Sequence, residues 1–337
     1  MTQRDAMTDD NSAGSQSQSQ SQSQTQAPKP QSPPDHYAPR AYEVRHRTTY
    51  TYDLPCEAAY ERGMMSPRET PSQTLRSASL SVTPEPDAFT EHRDHFGNNS
   101  AYIEVRTPHT KLELLKRSIV DVAWPRPDLD ELNQWTVADA IRLARTEADP
   151  VEAADFLLPS PLVEVTDKVH EYALSMLPPN RPFGEAVLGL TMGIYDDFKY
   201  DQKATTVRTT LDELLDIRGG VCQDFAQLAI GCLRSLGLPA RYVSGYVETY
   251  APPGQVKLEG SDASHAWAAV WTPAGRWVDL DPTNNHLVDS RYVVTAWGRD
   301  FRDVSPLRGV IYTEAKKSSL KVGVDVIPLG LVEPVNT

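Results

Sequence analysis

The sequence predicts an α+β protein, in which a small all-β domain precedes a core of helices packed on an antiparallel sheet. Three observations lead to this fold class. Short alternating strands fill residues 41–122, helical apolar spacing follows over residues 137–236, and strand-like sequence returns after residue 240. A run of helices followed by a run of strands is the layer pattern of α+β folds.

The first residues differ in composition from the rest of the chain. They contain a Ser-Gln repeat from Ser15 to Gln24 and then a proline-rich stretch. This stretch has few apolar side chains to bury, so we expect a disordered tail. The expected divisions are this tail over 1–39, the all-β domain over 40–125, the core over 126–305, and final strands with a tail over 306–337.

Composition limits the functional classes. Lys and Arg total 33 against 46 Asp and Glu, a formal net charge of −13. This balance argues against nucleic acid and anionic membrane surfaces as partners. The N-terminus lacks a signal-peptide core, and no apolar run approaches the roughly 18 residues of a spanning helix. Three cysteines without a disulfide pattern fit a reducing compartment. We therefore expect a soluble, cytoplasmic enzyme, and the oligomeric state stays open.

The all-β domain is predicted from β-rich segments separated by turns, and we expect a small sandwich. Phe96-Gly-Asn-Asn99 supplies a hairpin turn between two of the segments. His46, His92 and His95 invite a metal interpretation, but no cysteine or catalytic helix motif accompanies them, so structural or surface roles are expected. The predicted strands are Tyr42–Tyr52, Leu75–Val82, Tyr102–Arg106 and Leu112–Val122.

The core begins with helices. A helix over Cys222–Leu236 is apolar at three- and four-residue steps, so we expect it to be central, and Gly237 ends it. The helices predicted before it are Val137–Thr146, Thr166–Leu177, Phe183–Phe198 and the capped Thr209–Leu215. The strands predicted after it are Ala240–Tyr250, His265–Trp271, Arg276–Leu280, Val310–Thr313 and Leu320–Ile327, with the hairpin loop Thr272–Gly275.

Three residues have the types that a thiol acyl-transfer site needs. Cys222 starts the central helix one residue after Gly219-Gly220, where the helix N-terminus favours a thiolate. A neutral thiol is a poor nucleophile, so it needs a nearby base whose tautomer a third group fixes. His265 lies on a later strand and can be that base. Cys232 belongs to the apolar stripe and is expected to be a buried core residue.

The third group has two candidates. Asp279 and Asp281 share one face of the strand that follows His265, and Asp281 could also simply start the Asp-Pro turn. His265 and Asp281 share a face only if the hairpin loop is effectively odd in length or contains a bulge.

Four motifs in order resemble the transglutaminase-like superfamily, which shares the fold of papain-like cysteine proteases. The matching stretches are Gly219-Gly-Val-Cys-Gln-Asp-Phe-Ala226, Arg234-Ser-Leu-Gly-Leu-Pro-Ala-Arg-Tyr-Val-Ser-Gly-Tyr246, His265-Ala-Trp267 and Trp277-Val-Asp-Leu-Asp-Pro-Thr283. The segments Tyr42–Tyr52, Ser66-Pro-Arg68 and Phe96-Gly-Asn98 further resemble the β-rich domain of a bacterial subgroup. The resemblance implies a Cys222, His265, Asp281 triad, selects Asp281 over Asp279, and does not imply protein crosslinking.

Other parts of the site are less defined by sequence. The Cys222 backbone N–H is a candidate oxyanion donor, and Tyr200 or Gln223 could supply a second one. No motif indicates a cofactor, and no acidic loop demonstrates the calcium site that some relatives require. The bulky residues that could wall an amine channel, or simply form core, are Trp267, Trp271 and Trp277.

The expected function is thiol-dependent acyl transfer on an amide or peptide bond, through a thioester resolved by water or an amine. We lean towards hydrolysis as the main outcome. One alternative is a cysteine peptidase or amidase that acts only by hydrolysis. The other is a catalytically silent binding platform, against which the three aligned residue types argue. The partner in the enzyme hypotheses is a protein or peptide substrate, whose identity the sequence does not reveal.

Overall fold

The computed structural model describes residues 35–250, 260, 262 and 264–331, and all its elements belong to one unit, His36–Thr337. The strands are β1 Arg40–Gly63, β2 Gln73–Thr83, β3 Ala88–Arg93, β4 Asn99–Val105, β5 His109–Val122, β6 Lys199–Tyr200, β7 Gly219–Gly220, β8 Ala240–Val247, β9 Ser264–Trp271, β10 Trp277–Asp281, β11 His286–Leu287, β12 Tyr292–Gly298, β13 Leu307–Thr313 and β14 Ser318–Leu331. The helices are α1 Leu129–Leu132, α2 Val137–Thr146, α3 Pro150–Leu157, α4 Asp167–Met176, α5 Phe183–Asp197, α6 Leu211–Ile217, α7 Cys222–Ser235 and α8 Phe301–Val304. The expected tail 1–39 falls mostly outside the described residues.

The N-terminal sheet is organised by the 24-residue strand β1. Its first half pairs with β5 on one side and β14 on the other, and its second half pairs with β4 and β13. The register shifts between Thr51 and Cys56, where the strand changes partners. Because hydrogen bonding continues through β1, the strands form one seven-stranded curled sheet. The all-β prediction is therefore confirmed, and the strands of the expected small sandwich belong to one continuous sheet.

Alternation along β1 decides which face is covered. Tyr42, Val44, His46 and Thr48 are buried, whereas the residues between them are partly or fully exposed. An antiparallel sheet that is covered on one face has this period of two. The inward face of β1 is therefore the face that meets the rest of the protein.

The core sheet is antiparallel, with strand order β11-β10-β9-β8-β12. Helix α7 packs on it and is nearly completely buried after its first two residues, as the apolar spacing predicted. Gly237 has φ +86° and ends the helix, while Leu238 N–H bonds to the Leu233 carbonyl. This is the glycine-terminated helix end that the sequence indicated. Strand β12 was not predicted.

Two short motifs of the N-terminal region fix it to the core sheet. The Arg68 guanidinium stacks on the Trp297 ring, 3.2 Å from the centroid, and donates to Asn98 Oδ1. The Asn98 side chain also accepts from the Trp297 backbone N–H at 2.9 Å and donates to its carbonyl at 2.8 Å. Gln73 makes the same pair of bonds to the Val294 backbone, at 2.8 Å each. Side chains thus substitute for a strand partner along β12.

Candidate active site

The local structure around Cys222 leaves its thiol at a helix start. Gly220 pairs with Tyr200 across β7 and β6, and a Cβ on Gly220 would lie 2.7 Å from the Asp224 carboxylate. Asp224 needs that space because its Oδ2 accepts from the Val221 backbone N–H at 2.9 Å and from the Thr205 hydroxyl at 2.6 Å. Glycine therefore lets a carboxylate cap the helix.

The three thiols differ in accessibility. Cys222 is half-buried, whereas Cys56 and Cys232 are fully buried, and all three are free thiols. Burial raises the pKa of the Cys232 thiol and of the Cys56 thiol. Cys232 is thus the core residue that the apolar spacing predicted, and Cys222 is the thiol that reagents can reach.

His265 and Asp281 come together across the β9–β10 hairpin. The His265 Nε2 lies 2.6 Å from Asp281 Oδ2. Trp271 pairs with Trp277, so the connection between the paired residues has five residues. Because this number is odd, the odd-numbered residues of both strands lie on the same face of the sheet. The odd-length condition set out from the sequence is met. The Cys222 thiol and the His265 imidazole line the same cavity, and the thiol contributes to raising the pKa of His265.

Asp279 lies on the same face as Asp281, but its side chain bonds to a different residue. Its Oδ1 accepts the Trp267 indole N–H at 2.8 Å, and burial raises the pKa of its carboxyl. The Trp267 ring lies 6.1 Å from the His265 ring and 5.2 Å from the Tyr292 ring, measured between centroids. Asp279 therefore positions a core tryptophan, and Asp281 is the carboxylate that meets the imidazole.

Two residues that the sequence reasoning missed complete the surroundings of Asp281. Its Oδ2 accepts from the Tyr292 hydroxyl at 2.6 Å and from the Asn284 side-chain amide at 2.7 Å. Its Oδ1 accepts the backbone N–H groups of Thr283 and Asn284 at 2.9 and 3.3 Å. The Asp-Pro-Thr-Asn turn signal could have pointed to Asn284. Nothing in the sequence near the site pointed to Tyr292, which comes from β12.

The pKa of His265 is raised and the pKa of Asp281 is lowered. Burial disfavours the charged imidazole, but the Asp281 carboxylate and the Cys222 thiol outweigh it and raise the pKa of His265 to about 10. Burial opposes ionisation of Asp281 too, yet the charge and hydrogen bond of His265 hold the pKa of its carboxyl well below the usual range. The arrangement therefore favours an imidazolium–carboxylate pair at neutral pH.

This pair should make stability decrease at alkaline pH. The raised pKa means that the folded state holds a proton which the unfolded state releases, so the stabilisation is complete below about pH 6.5 and is lost as pH rises towards 10. We expect the free energy of unfolding to fall on the order of 2–3 kcal/mol between pH 6 and 9. Urea unfolding of the wild type and His265→Gln would measure it. Identical pH dependence in both proteins would contradict it.

The two candidates for a second oxyanion donor lie in different places. Gln223 lines the cavity at the thiol. Tyr200 is 51% exposed, lies with its ring 6.5 Å from the Phe225 ring, and lines no part of that cavity. Burial raises the pKa of Tyr200 and the Cys222 thiol adds to this, so Tyr200 also lies near the thiol and both residues stay candidates.

The thiol and imidazole lie at the wall of a cavity of about 310 Å³ between the curled sheet and the core. Trp267, Trp271 and Trp277 line no part of it, and Trp267 and Trp271 are buried core. The lining residues are His46, Thr48, Tyr50, Val221, Cys222, Gln223, Tyr242, Ser244, Ser264, His265, Ala266, Phe301, Ser305, Pro306, Leu307, Leu320 and Val322.

Two of the three histidines that invited a metal interpretation have other hydrogen-bond partners. His46 is buried, with Nδ1 2.9 Å from the Tyr246 hydroxyl, and His95 bonds Asp155 at 2.7 Å on the surface. Within the described ranges, no group of three or more His, Cys, Asp or Glu side chains could hold a metal ion. In the same part of the chain, no helix combines the length and apolarity needed to cross a membrane.

Comparison with known proteins identifies two matching family models and several related proteins. Residues 42–121 match the bacterial transglutaminase-like N-terminal region, and residues 172–282 match the transglutaminase-like superfamily. An uncharacterized protein of Mycobacterium tuberculosis is 45% identical over 295 residues, which cover 85% of this chain and 92% of the relative. An uncharacterized protein of Mycobacterium leprae is 31% identical over 290 residues, covering 85% and 98%.

Two further similarities are more distant or more local. The crystal structure of a proposed cysteine protease from Cytophaga hutchinsonii has a TM-score of 0.71 at 22% identity, covering 88% of this chain and 93% of that one, and shares the fold. A protein-glutamine gamma-glutamyltransferase of Pseudomonas aeruginosa is 36% identical over 92 residues, 26% of this chain and 14% of that protein. The two family matches and the long mycobacterial alignments agree, and the chain belongs to the transglutaminase-like superfamily.

Proposed function

We propose that this protein is a thiol-dependent acyl-transfer enzyme that cleaves an amide or peptide bond of a protein or peptide substrate. The observation that carries the proposal is the 2.6 Å bond between His265 and Asp281 beside the partly exposed thiol of Cys222. A binding platform has no need of a buried carboxylate that holds one imidazole nitrogen and leaves the other for the thiol.

Each group has a role in the first half of the proposed reaction. The Cys222 Sγ attacks the carbonyl carbon, forming the C–S bond and an oxyanion. The Cys222 backbone N–H at the helix start donates to that oxyanion in this proposal, and Gln223 or Tyr200 supplies the second donor. As the C–N bond breaks, the His265 imidazolium gives its proton to the departing amine, while Asp281 holds Nε2.

In the second half, water attacks the thioester carbonyl. His265 takes the proton of the water, the C–S bond breaks, and the acid product leaves as the Cys222 thiolate and the imidazolium return. We propose that water is the main acceptor. The tryptophans considered as walls of an amine channel do not line the cavity, so none of them would hold water back.

Amine transfer is the second candidate outcome. It is favoured by the local similarity to a relative named protein-glutamine gamma-glutamyltransferase. A partitioning experiment distinguishes hydrolysis from amine transfer. It measures how much of the acyl group of a glutamine or peptide substrate is transferred to water and how much to a labelled primary amine. We expect most of it to reach water at millimolar amine. Capture of most of it by the amine would make the protein a transferase instead.

Alkylation tests the thiol site without knowledge of the substrate. At pH 7 iodoacetamide should label Cys222 rapidly, and His265→Ala should slow this labelling about 100-fold, the lower end of what a positioned base contributes. Cys56 and Cys232 are buried and serve as internal controls, read out by peptide mass spectrometry. Equal labelling of all three native thiols, or no effect of His265→Ala, would contradict the proposed function.

A further inference from the structure

The cavity at the thiol has walls from two parts of the molecule. The core contributes apolar surface from Val221, Tyr242 and Phe301. The curled sheet contributes the opposite wall through Tyr50 of β1 and Leu320 and Val322 of β14. Any group bound beside Cys222 would therefore contact the N-terminal sheet as well as the core.

The lining carries little charge. Among the described residues that line the cavity, none is Asp, Glu, Lys or Arg. His46 is held by the Tyr246 and Thr48 hydroxyls at 2.9 and 3.2 Å, and burial lowers the pKa of its imidazole to about 4. Burial also raises the pKa of Tyr50 to about 12. Apart from the thiol and His265, these walls are neutral near pH 7.

The free energy of removing a substrate side chain from water differs between charged and apolar side chains, so this lining favours one class over the other. A charged group that enters must lose water without gaining a counter-ion, which is costly. An apolar group instead gains about 25 cal/mol for each Å² removed from water. Leu320 is 58% exposed and Val322 is 46% exposed at the mouth. Both side chains offer apolar surface that a substrate group can cover.

We propose that the substrate carries an uncharged, apolar side chain on the acyl side of the scissile carboxamide, and that the N-terminal sheet selects it through Tyr50, Leu320 and Val322. This inference rests on the proposed function, because it names the substrate class of the same thiol site. It also gives the N-terminal sheet a role in recognition.

Matched affinity labels test the selection. N-acetyl chloromethyl ketones of leucine, phenylalanine, glutamate and lysine share one reaction, in which the Cys222 thiolate displaces chloride and forms a C–S bond. We expect the second-order rate constants for the leucine and phenylalanine reagents to exceed those for glutamate and lysine about tenfold or more. Rates are divided by that of 2-chloroacetamide, which lacks a side chain and reports thiol reactivity alone.

A substitution at the mouth should change the preference. Because Leu320 is more than half exposed, Leu320→Asp can be made without opening the core. We expect it to lower the leucine-to-lysine rate ratio about tenfold, since the new carboxylate attracts the cationic reagent. Val310→Asp is the matched control, because Val310 is 61% exposed on β13 of the same sheet and lines no part of the cavity. It should leave the ratio unchanged.

The outcomes separate the two proposals. If 2-chloroacetamide labels Cys222 in a His265-dependent manner but all four ketones react at equal normalised rates, the selection is overturned and the proposed function stands. The same conclusion follows if Leu320→Asp and Val310→Asp change the ratio equally. If 2-chloroacetamide does not label Cys222 faster than the buried thiols, both proposals are overturned.

Discussion

Replacing Asp281 with asparagine should lower the rate of acyl transfer about 10³- to 10⁴-fold, close to the effect of the equivalent change in a serine triad. Every hydrogen-bond partner of the Asp281 carboxylate is a donor. Oδ2 accepts from His265, Tyr292 and Asn284, and Oδ1 accepts two backbone N–H groups. Whichever way an asparagine amide turned, its NH₂ group would face donors instead of accepting from them.

The loss of the charge adds to this mismatch. The Asp281 carboxylate helps raise the pKa of His265 to about 10, so Asp281→Asn should lower that pKa and narrow the pH range in which the His265 imidazolium exists. Stopped-flow alkylation of Cys222 from pH 5 to 10 would record this narrowing. A role limited to folding would leave the shape of the profile unchanged.

Asp279→Asn is the matched control, a buried carboxylate two positions earlier on the same strand. Its partner is the Trp267 indole N–H at 2.8 Å, and the asparagine carbonyl oxygen can accept that bond unchanged. We expect the folded variant to keep a rate within a few-fold of the wild type. If Asp279→Asn removed activity and Asp281→Asn did not, the carboxylate would be assigned wrongly.

The placement of the candidate site residues shows what sequence alone can locate. Cys222 and His265 stand out because their residue types, helix start and strand neighbours are local features. Asp281 required a hairpin of odd parity, which the structure has between the paired Trp271 and Trp277. Tyr292 was not found because β12 is buried on both faces at nearly every residue. Such a strand shows no alternation from which a functional face could be read.

Many of the individual strands and helices could be predicted from the sequence, but the pairing between strands could not. Alternation marked the first half of β1 and much of β14, but it does not say that these distant strands pair from Arg40 with Leu331 to Tyr52 with Ser318. Register of this kind depends on long-range contacts and on the covered face. The same limit applies to the small sandwich expected from the sequence, because local alternation does not show that β1 changes partners near Cys56 and joins all these strands into one sheet.

Replacing Asn98 with alanine should destabilise the protein by about 3–5 kcal/mol, because it removes one side chain that satisfies several buried groups. Asn98 is fully buried. Without it, the backbone N–H and carbonyl of Trp297 and the Arg68 guanidinium each lose a partner. Each buried polar group left unsatisfied costs about 1–3 kcal/mol. Urea unfolding followed by tryptophan fluorescence would measure the change.

The neighbouring Asn99 provides the control for this prediction. Its side chain makes one partly buried bond, to the Pro67 carbonyl at 3.0 Å, so Asn99→Ala should cost only about 0.5–1.5 kcal/mol. Because Asn98 joins the N-terminal sheet to β12, its loss should also disturb the cavity wall that Tyr50 and Leu320 supply. We therefore expect Asn98→Ala, and not Asn99→Ala, to weaken the preference for apolar chloromethyl ketones under conditions where both variants remain folded. Equal destabilisation by the two substitutions would show that Asn98 does not join the sheets in the way its hydrogen bonds indicate.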